Sequence, residues 1–356
     1  MLDQIGQMII SGIEGTTLSS EEAQFLEKED IGGVILFEKN YESPMQLANL
    51  VNSIQKLRRN YPLFVAVDHE GGRIIRFKKD FTQFPPMLNV AEFESPKLFF
   101  QIAQIMGREL HACGVNLNMT PCCDVLTNSA NQVIGDRAFG KSAKTVAKFI
   151  SAIIRGFQTT KVITCAKHFP GHGSSFEDSH LTLPVVDTPL EVLEGREFIP
   201  FVKAIKSRVP MIMMAHLLIP GIDDKFPSTL SKKTHDLLRA KLKYNRIIIS
   251  DDMQMNAIRN NYQIDEAAIM AINAGTDIIE YRDFDQAKKA LDALKSAIEK
   301  KQIKKQTIKP ALERIYSCKK TLLSDYTPVN IQEVKKRIGT GIAKSLLDNI
   351  EKRISS

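Results

Sequence analysis

Eight short apolar runs recur along the 356-residue chain, and each gives way to polar loop residues and then to a stretch of helical periodicity. That alternation predicts parallel βα units. Eight of them predict an α/β protein folded as a single (β/α)8 TIM-type barrel with a C-terminal helical extension. Two further observations favour a closed barrel over a doubly wound open sheet. Most of the runs are continuously apolar, as strands covered on both faces require, and neither a GxGxxG fingerprint nor a P-loop is present to mark an open sheet.

The runs are QMIIS near 7–11, GVILF at 33–37, LFVAVD at 63–68, VNLNMTP at 115–121, VITCAKH at 162–168, MIMMAH at 211–216, RIIISDD at 246–252 and TDIIEY at 276–281. Helical stretches fill the gaps. In IDEAAIMAINAG, for example, Ile264, Ala268, Ala271 and Ile272 share a face and Gly275 stands where a C-cap belongs. Barrels of this length occur as one unit. The expected division is therefore a catalytic barrel over 1–285 and a basic helical segment over 286–356 that packs on the barrel or completes it.

Hydrophobic residues make up 43% of the chain and charged residues 25%, which is the ordinary globular range. The opening MLDQIGQMIISGIEG has no basic n-region, and Ser11, Gly12 and Glu14 interrupt its apolar run, so it does not read as a secretory signal. No stretch approaches the roughly 18 apolar residues of a membrane span. The cysteines number five, Cys113, Cys122, Cys123, Cys165 and Cys318, and four stand in apolar settings where a buried free thiol is usual. The expected location is the cytoplasm. The net charge of +7 comes from the end of the chain, where 288–356 carries 17 Lys+Arg against 7 Asp+Glu and leaves 31 against 34 elsewhere. The segment IKKQTIKPALERIYSCKK reads as amphipathic helix with solvated lysines, and no nucleic-acid partner is expected.

Polar residues concentrate where the predicted strands end: Asp68-His69-Glu70, Asp124, Lys167-His168, His216 and Asp251-Asp252. In a barrel all those ends lie on the face that carries catalysis. The richest segment is KHFPGHGSSFEDSHLTLP at 167–184. Its His168, His172, Asp178 and His180 are metal-ligand types, but the loop lacks the i, i+4 spacing of a helical metal site, and no metal or other cofactor is expected. Acid/base chemistry is the competing reading: Asp178 and His180 can face each other, and a carboxylate beside an imidazole orients the ring and stabilises its protonated form. In IIISDDMQM an apolar strand ends in two carboxylates, Asp251 and Asp252, the second of which could cap the next helix. VDHEGGRIIRF pairs two glycines with Arg73 and Arg76, and IGDRAFG offers a Gly-flanked Arg137. Such a set suits a ligand rich in hydroxyls and points to glycosyl transfer, although a phosphorylated ligand would account for the basic residues equally well.

KHFPGHG followed by DSH, SDDMQM at a strand end, VDHEGGRIIRF with FPPM soon after, and IGDRAFG resemble, in order and spacing, the signatures of glycoside hydrolase family 3 β-N-acetylhexosaminidases over roughly 1–280. The resemblance implies a retaining exo-β-N-acetylglucosaminidase. Asp251 would attack the anomeric carbon and form a covalent glycosyl-enzyme, with Asp252 as its neighbour, and His180 paired with Asp178 would act as acid and base. Asp68, Arg76, Arg137, Lys167 and His168 would hold the sugar hydroxyls and N-acetyl group. The implied partner is a carbohydrate, a muropeptide or a disaccharide containing N-acetylglucosamine such as N-acetylglucosaminyl-1,6-anhydro-N-acetylmuramic acid, taken by a monomer. Asp-His-Glu at 68–70 and Met253-Gln254 depart from the commoner Asp-Gln-Glu and Leu-Ser. The alternatives are a β-glucosidase or N-acetylglucosaminide phosphorylase of the same family, or a catalytically silent sugar-binding barrel.

Overall fold

Runs such as GVIL, FVAV and IIIS have no polar face to offer water, so each must be covered on both sides. A barrel wall wrapped by helices does this. The computed structural model describes residues 2–176 and 182–355. All eight predicted runs form strands: β1 (Ile9–Ser11), β2 (Gly33–Leu36), β3 (Phe64–Val67), β4 (Leu117–Asn118), β5 (Ile163–Phe169), β6 (Met211–Met214), β7 (Ile247–Asp252) and β8 (Ile278–Tyr281). They close into one barrel in the order β1-β8-β7-β6-β5-β4-β3-β2, and every pairing is parallel.

Helices follow the strands and cover them. The first, Ser20–Lys28, starts with a capping box between Ser19 and Glu22. Those at Pro44–Lys56 and Pro96–Ala112 each begin with a Ser cap and a Pro in the first turn. The helix Ala143–Gln158 buries Val146, Phe149, Ile150, Ile153, Ile154 and Phe157, the i, i+3, i+4 stripe that faces the wall. Ile264–Ala274 forms as predicted and ends at Gly275, whose φ of +125° few other residues adopt. Phe284–Glu299 follows β8 as the eighth wall helix.

The chain then crosses the opposite end of the barrel. The helix Lys305–Leu322 projects Lys319 onto Gln7, Gly32 and Phe64, which flank the starts of β1, β2 and β3. Its Arg314 joins Arg239 on Asp277, just ahead of β8. Solvated lysines describe Lys304, Lys305, Lys309 and Lys320, but not Lys319, which is 0% exposed. It donates to Gln7 Oε1 (2.7 Å) and the Gly32 carbonyl (2.8 Å), and its ammonium lies 4.7 Å from the Phe64 ring centre. The helical period places Lys319 on the inward stripe with Ile308, Leu312 and Ile315, so geometry overrides its preference for water.

Burial lowers the Lys319 ammonium from 10.5 to about 7, against the pull of Asp30 and Cys318. Between those values the unfolded chain holds a proton that the folded chain has released, so this residue makes the fold more stable as pH rises. Wild type should therefore gain thermal stability from pH 7 to 9.5 relative to Lys319→Met, as melting curves of the two proteins at several pH values will show.

Candidate active site

Strand direction puts the chemistry at the other end. Asp68 follows β3, Lys167 and His168 lie late in β5, and Asp251 and Asp252 end β7. Between β3 and the next wall helix the chain makes a small hairpin, pairing His69–Gly71 with Ile74–Ile75. Its turn uses Gly72 at φ +56°, where a Cβ would stand 2.9 Å from Pro86. The hairpin turns Arg76 back towards Asp68.

Five of the sequence-predicted site residues form one connected network. Arg76 Nη2 lies 3.6 Å from Asp68 Oδ2, and Lys167 Nζ bridges Asp68 Oδ1 (2.6 Å) and Glu70 Oε1 (2.7 Å). Arg137 grips Glu70 with two parallel bonds, Nε to Oε2 at 2.9 Å and Nη2 to Oε1 at 2.8 Å. Arg137 Nη2 also comes within 3.5 Å of His168 Nε2. An arginine can only donate, so Nε2 faces it as an acceptor and the ring proton sits on Nδ1, which donates to Asp124 Oδ2 at 2.7 Å. Asp124 Oδ1 takes the backbone amides of His172 (2.7 Å) and His168 (3.3 Å).

These contacts set the charges. Burial alone would raise Glu70, Asp68 and Asp124. Arg137 and Lys167 overcome it at Glu70, Lys167 and Arg76 at Asp68, and His168 with His172 at Asp124, so all three carboxyls are held below the ordinary carboxylate range. Asp251 is likewise lowered: burial opposes ionisation, but His168, His216, the Asp252 amide and Lys167 outweigh it. Its Oδ1 accepts from Asp252 N at 2.8 Å, and no other described residue hydrogen-bonds the carboxylate. Asp252 is fully engaged instead. It takes Arg282 and the Gln254 amide and ties β7 to β8. His216 supports the same strand end, donating from Nε2 to the Asp252 carbonyl at 3.0 Å while Nδ1 meets the Thr229 hydroxyl at 2.7 Å.

Asp68, Arg76, Arg137, Lys167, His168 and Asp251 thus gather at one mouth, while Asp178 and His180 lie outside the described residues. Arg73 turns away, pairing with Asp136 at 2.9 Å. His69 packs on Phe77 and Phe81, and burial pushes its imidazole down to about 3, so the departure at 69 is a matter of packing. Cys122, Asp124 and His168 place ligand-type atoms within 4.8 Å of one another. Those atoms already bond among themselves, with Cys122 Sγ 3.2 Å from Asp124 Oδ2. The sequence reading assigned no role to Glu70, the hub of the network, or to Glu280 on β8.

A closed parallel barrel with paired charges and one open carboxylate at its C-terminal mouth is a barrel enzyme whose site suits a polyhydroxylated substrate. Comparison with known proteins makes that class specific. The glycosyl hydrolase family 3 N-terminal domain matches residues 1–318. A beta-hexosaminidase of Nitrosomonas eutropha is 39% identical over 273 residues, covering 75% of this chain and 78% of that protein. One from Bordetella pertussis is 35% identical over 294 residues, covering 80% and 83%. Among solved structures, a family 3 β-N-acetylglucosaminidase from Paenibacillus sp. FPU-7 superposes with a TM-score of 0.91 at 33% identity, over 98% of this chain and 68% of that one. The β-N-acetylhexosaminidase of Beutenbergia cavernae gives 0.83 at 26% identity, over 90% and 98%. The chain belongs to glycosyl hydrolase family 3 and is a glycoside hydrolase, as its motifs led us to expect.

Removing the Glu70 charge leaves Arg137 and half of the Lys167 interaction unbalanced in a buried setting. Glu70→Gln should cost about 3 kcal/mol at neutral pH, measured by urea unfolding. A lowered carboxyl contributes stability above its unfolded value, here 4.5, and loses it as pH falls towards the folded value. The gap between wild type and variant should therefore narrow below pH 4.5.

Proposed function

We propose that this protein is a retaining exo-β-N-acetylglucosaminidase that releases terminal N-acetylglucosamine. The observation that carries the reading is the Asp251 carboxylate, held ionised at the end of β7 with one oxygen uncommitted. A nucleophile needs that state and that access. The beta-hexosaminidase and β-N-acetylglucosaminidase relatives support the choice of sugar.

In the first step Asp251 attacks the anomeric carbon, the glycosidic C–O bond breaks, and the leaving oxygen takes a proton from His180, paired with Asp178. In the second, His180 removes a proton from water, the resulting hydroxide displaces Asp251 from the anomeric carbon, and the sugar leaves with its configuration retained. Asp68, Arg76, Lys167, Arg137 and His168 hold the sugar through its hydroxyls and N-acetyl group. Fork donors and carboxylates set around a mouth can bond several hydroxyls at once. The natural substrate in this reading is a peptidoglycan fragment, N-acetylglucosaminyl-1,6-anhydro-N-acetylmuramic acid with or without peptide. Cytoplasmic action is supported by five free cysteines, none paired as a disulfide. Among the described residues no helix is long and apolar enough to cross a membrane.

Asp251→Ala should remove nearly all turnover of 4-nitrophenyl N-acetyl-β-glucosaminide, and a mechanism-based fluoro-sugar should label Asp251 in the wild type, as peptide mass spectrometry will locate. Unchanged turnover, or an adduct elsewhere, would overturn the assignment. His180→Ala should slow substrates with poor leaving groups more than activated aryl glycosides, which need little protonation. Equal losses on both would sink the acid role.

A further inference from the structure

Glu280 occupies the middle of an otherwise apolar strand, IIEY, and is 4% exposed. It sits in register with Asp252 of β7 and Ile10 of β1. The groups that bear on it include Asp68, just after β3, and Lys167, late in β5, and each of those strands is three places away around the barrel. Only a side chain pointing into the lumen can sense both, so Glu280 faces the same mouth as the network above. Its Oε2 is buried and has no hydrogen-bond partner among the described residues.

A buried carboxyl with an unpartnered oxygen is costly unless something completes it. No described residue does. Lys167, the nearby cation, already bridges Asp68 and Glu70, and the other neighbours are Asp68, Asp251 and Asp252. The neighbouring β1 contributes Ile10 and Ser11, neither of which titrates. Burial, reinforced by the three aspartates, raises the Glu280 carboxyl well above the ordinary range and so favours its un-ionised form. An un-ionised carboxyl can donate as well as accept, and a sugar hydroxyl needs both kinds of partner. The ionised Asp68 can only accept.

We infer that Glu280 is a substrate-positioning residue of the sugar pocket, its carboxyl donating a hydrogen bond to the oxygen of a terminal-sugar hydroxyl whose own proton is taken by Asp68. The inference rests on the glycosidase reading above and names one more contact in that site. The ring hydroxyl bound here is read from both sides, once by an acceptor and once by a donor.

The test compares wild type, Glu280→Gln and Glu280→Met on 4-nitrophenyl N-acetyl-β-glucosaminide and on its 3-, 4- and 6-deoxy analogues. Glutamine keeps the shape and a donor and should stay within about threefold of wild-type kcat/KM. Methionine removes the donor and should lower kcat/KM by roughly tenfold, mainly through KM. That loss should disappear on the one deoxy analogue lacking the hydroxyl that Glu280 contacts. A methionine variant equal to wild type, or one that loses the same factor on every analogue, overturns the inference. A loss confined to poor leaving groups would make Glu280 a proton donor and overturn it too. A wild type inert on all four glycosides would overturn the function itself and this contact with it, whereas an active wild type with an unaffected Met variant removes only the contact. Should Glu280→Met fail to fold, Glu280→Ala, which removes the donor without adding bulk, takes its place in the same series, and an equal kcat/KM ratio to wild type on the parent glycoside and all three analogues would show that no hydroxyl is read at this position.

Discussion

Buried charge at the barrel mouth must be balanced group by group, and the rest of the site follows from that constraint. Lys167 and Arg137 share Glu70, Lys167 also holds Asp68, and His168 is held by Asp124. An unpaired ion in such a place would neutralise or destabilise the fold. The partners come from β3, β4, β5 and the loops that follow them, so the pairing also fixes how those strand ends sit relative to one another. The same set that would bind sugar hydroxyls therefore holds its own geometry before any ligand arrives, which is the preorganisation a glycosidase needs.

Within that balance the mouth is divided. Asp252 and His216 are committed to backbone and to neighbouring strands, and they brace the end of β7. Asp251, one residue earlier and facing inward, keeps an oxygen open. Their different contacts separate the two adjacent aspartates into a brace and a candidate nucleophile. The opposite end of the barrel solves a different problem. There Lys319 and Arg314 from one C-terminal helix close over the strand starts, so the basic tail that looks like a surface feature in the sequence in part seals the floor.

The wall was legible because parallel strands buried on both faces leave an unmistakable trace, and all eight runs became strands. The strand-end polar residues were legible for the same reason: Asp68, Lys167, His168 and Asp251 interrupt apolar runs at the one place a barrel exposes them. What sequence did not give were partners. Glu70 stands between two residues that drew attention and becomes the hub only when Arg137, 67 residues on, folds onto it. Glu280 was read as wall, since one acid in IIEY does not reveal whether it faces lumen or helix. Lys319 was read as solvated, because composition alone cannot show which lysine lies on the inward stripe of its helix.

The charge states also bear on where a proton for the leaving group can come from. Asp68, Glu70, Asp124 and Asp251 are all driven towards ionisation, so none of them is a ready donor near neutral pH. Glu280 is pushed the other way, towards holding its proton, but it pairs with Asp252 on the adjoining strand and is 4% exposed. A leaving group departs away from the nucleophile and towards solvent, which is the wrong direction for Glu280 to serve. In the proposed mechanism the strand ends offer grip and a candidate nucleophile but no ready acid. That role falls to Asp178 and His180, later in the sequence than β5, and it explains why a histidine would take a task that most retaining glycosidases give to a carboxylic acid: in a mouth this rich in anions, an imidazole holds its proton as an added cation, where a further carboxyl would bring another potential negative charge.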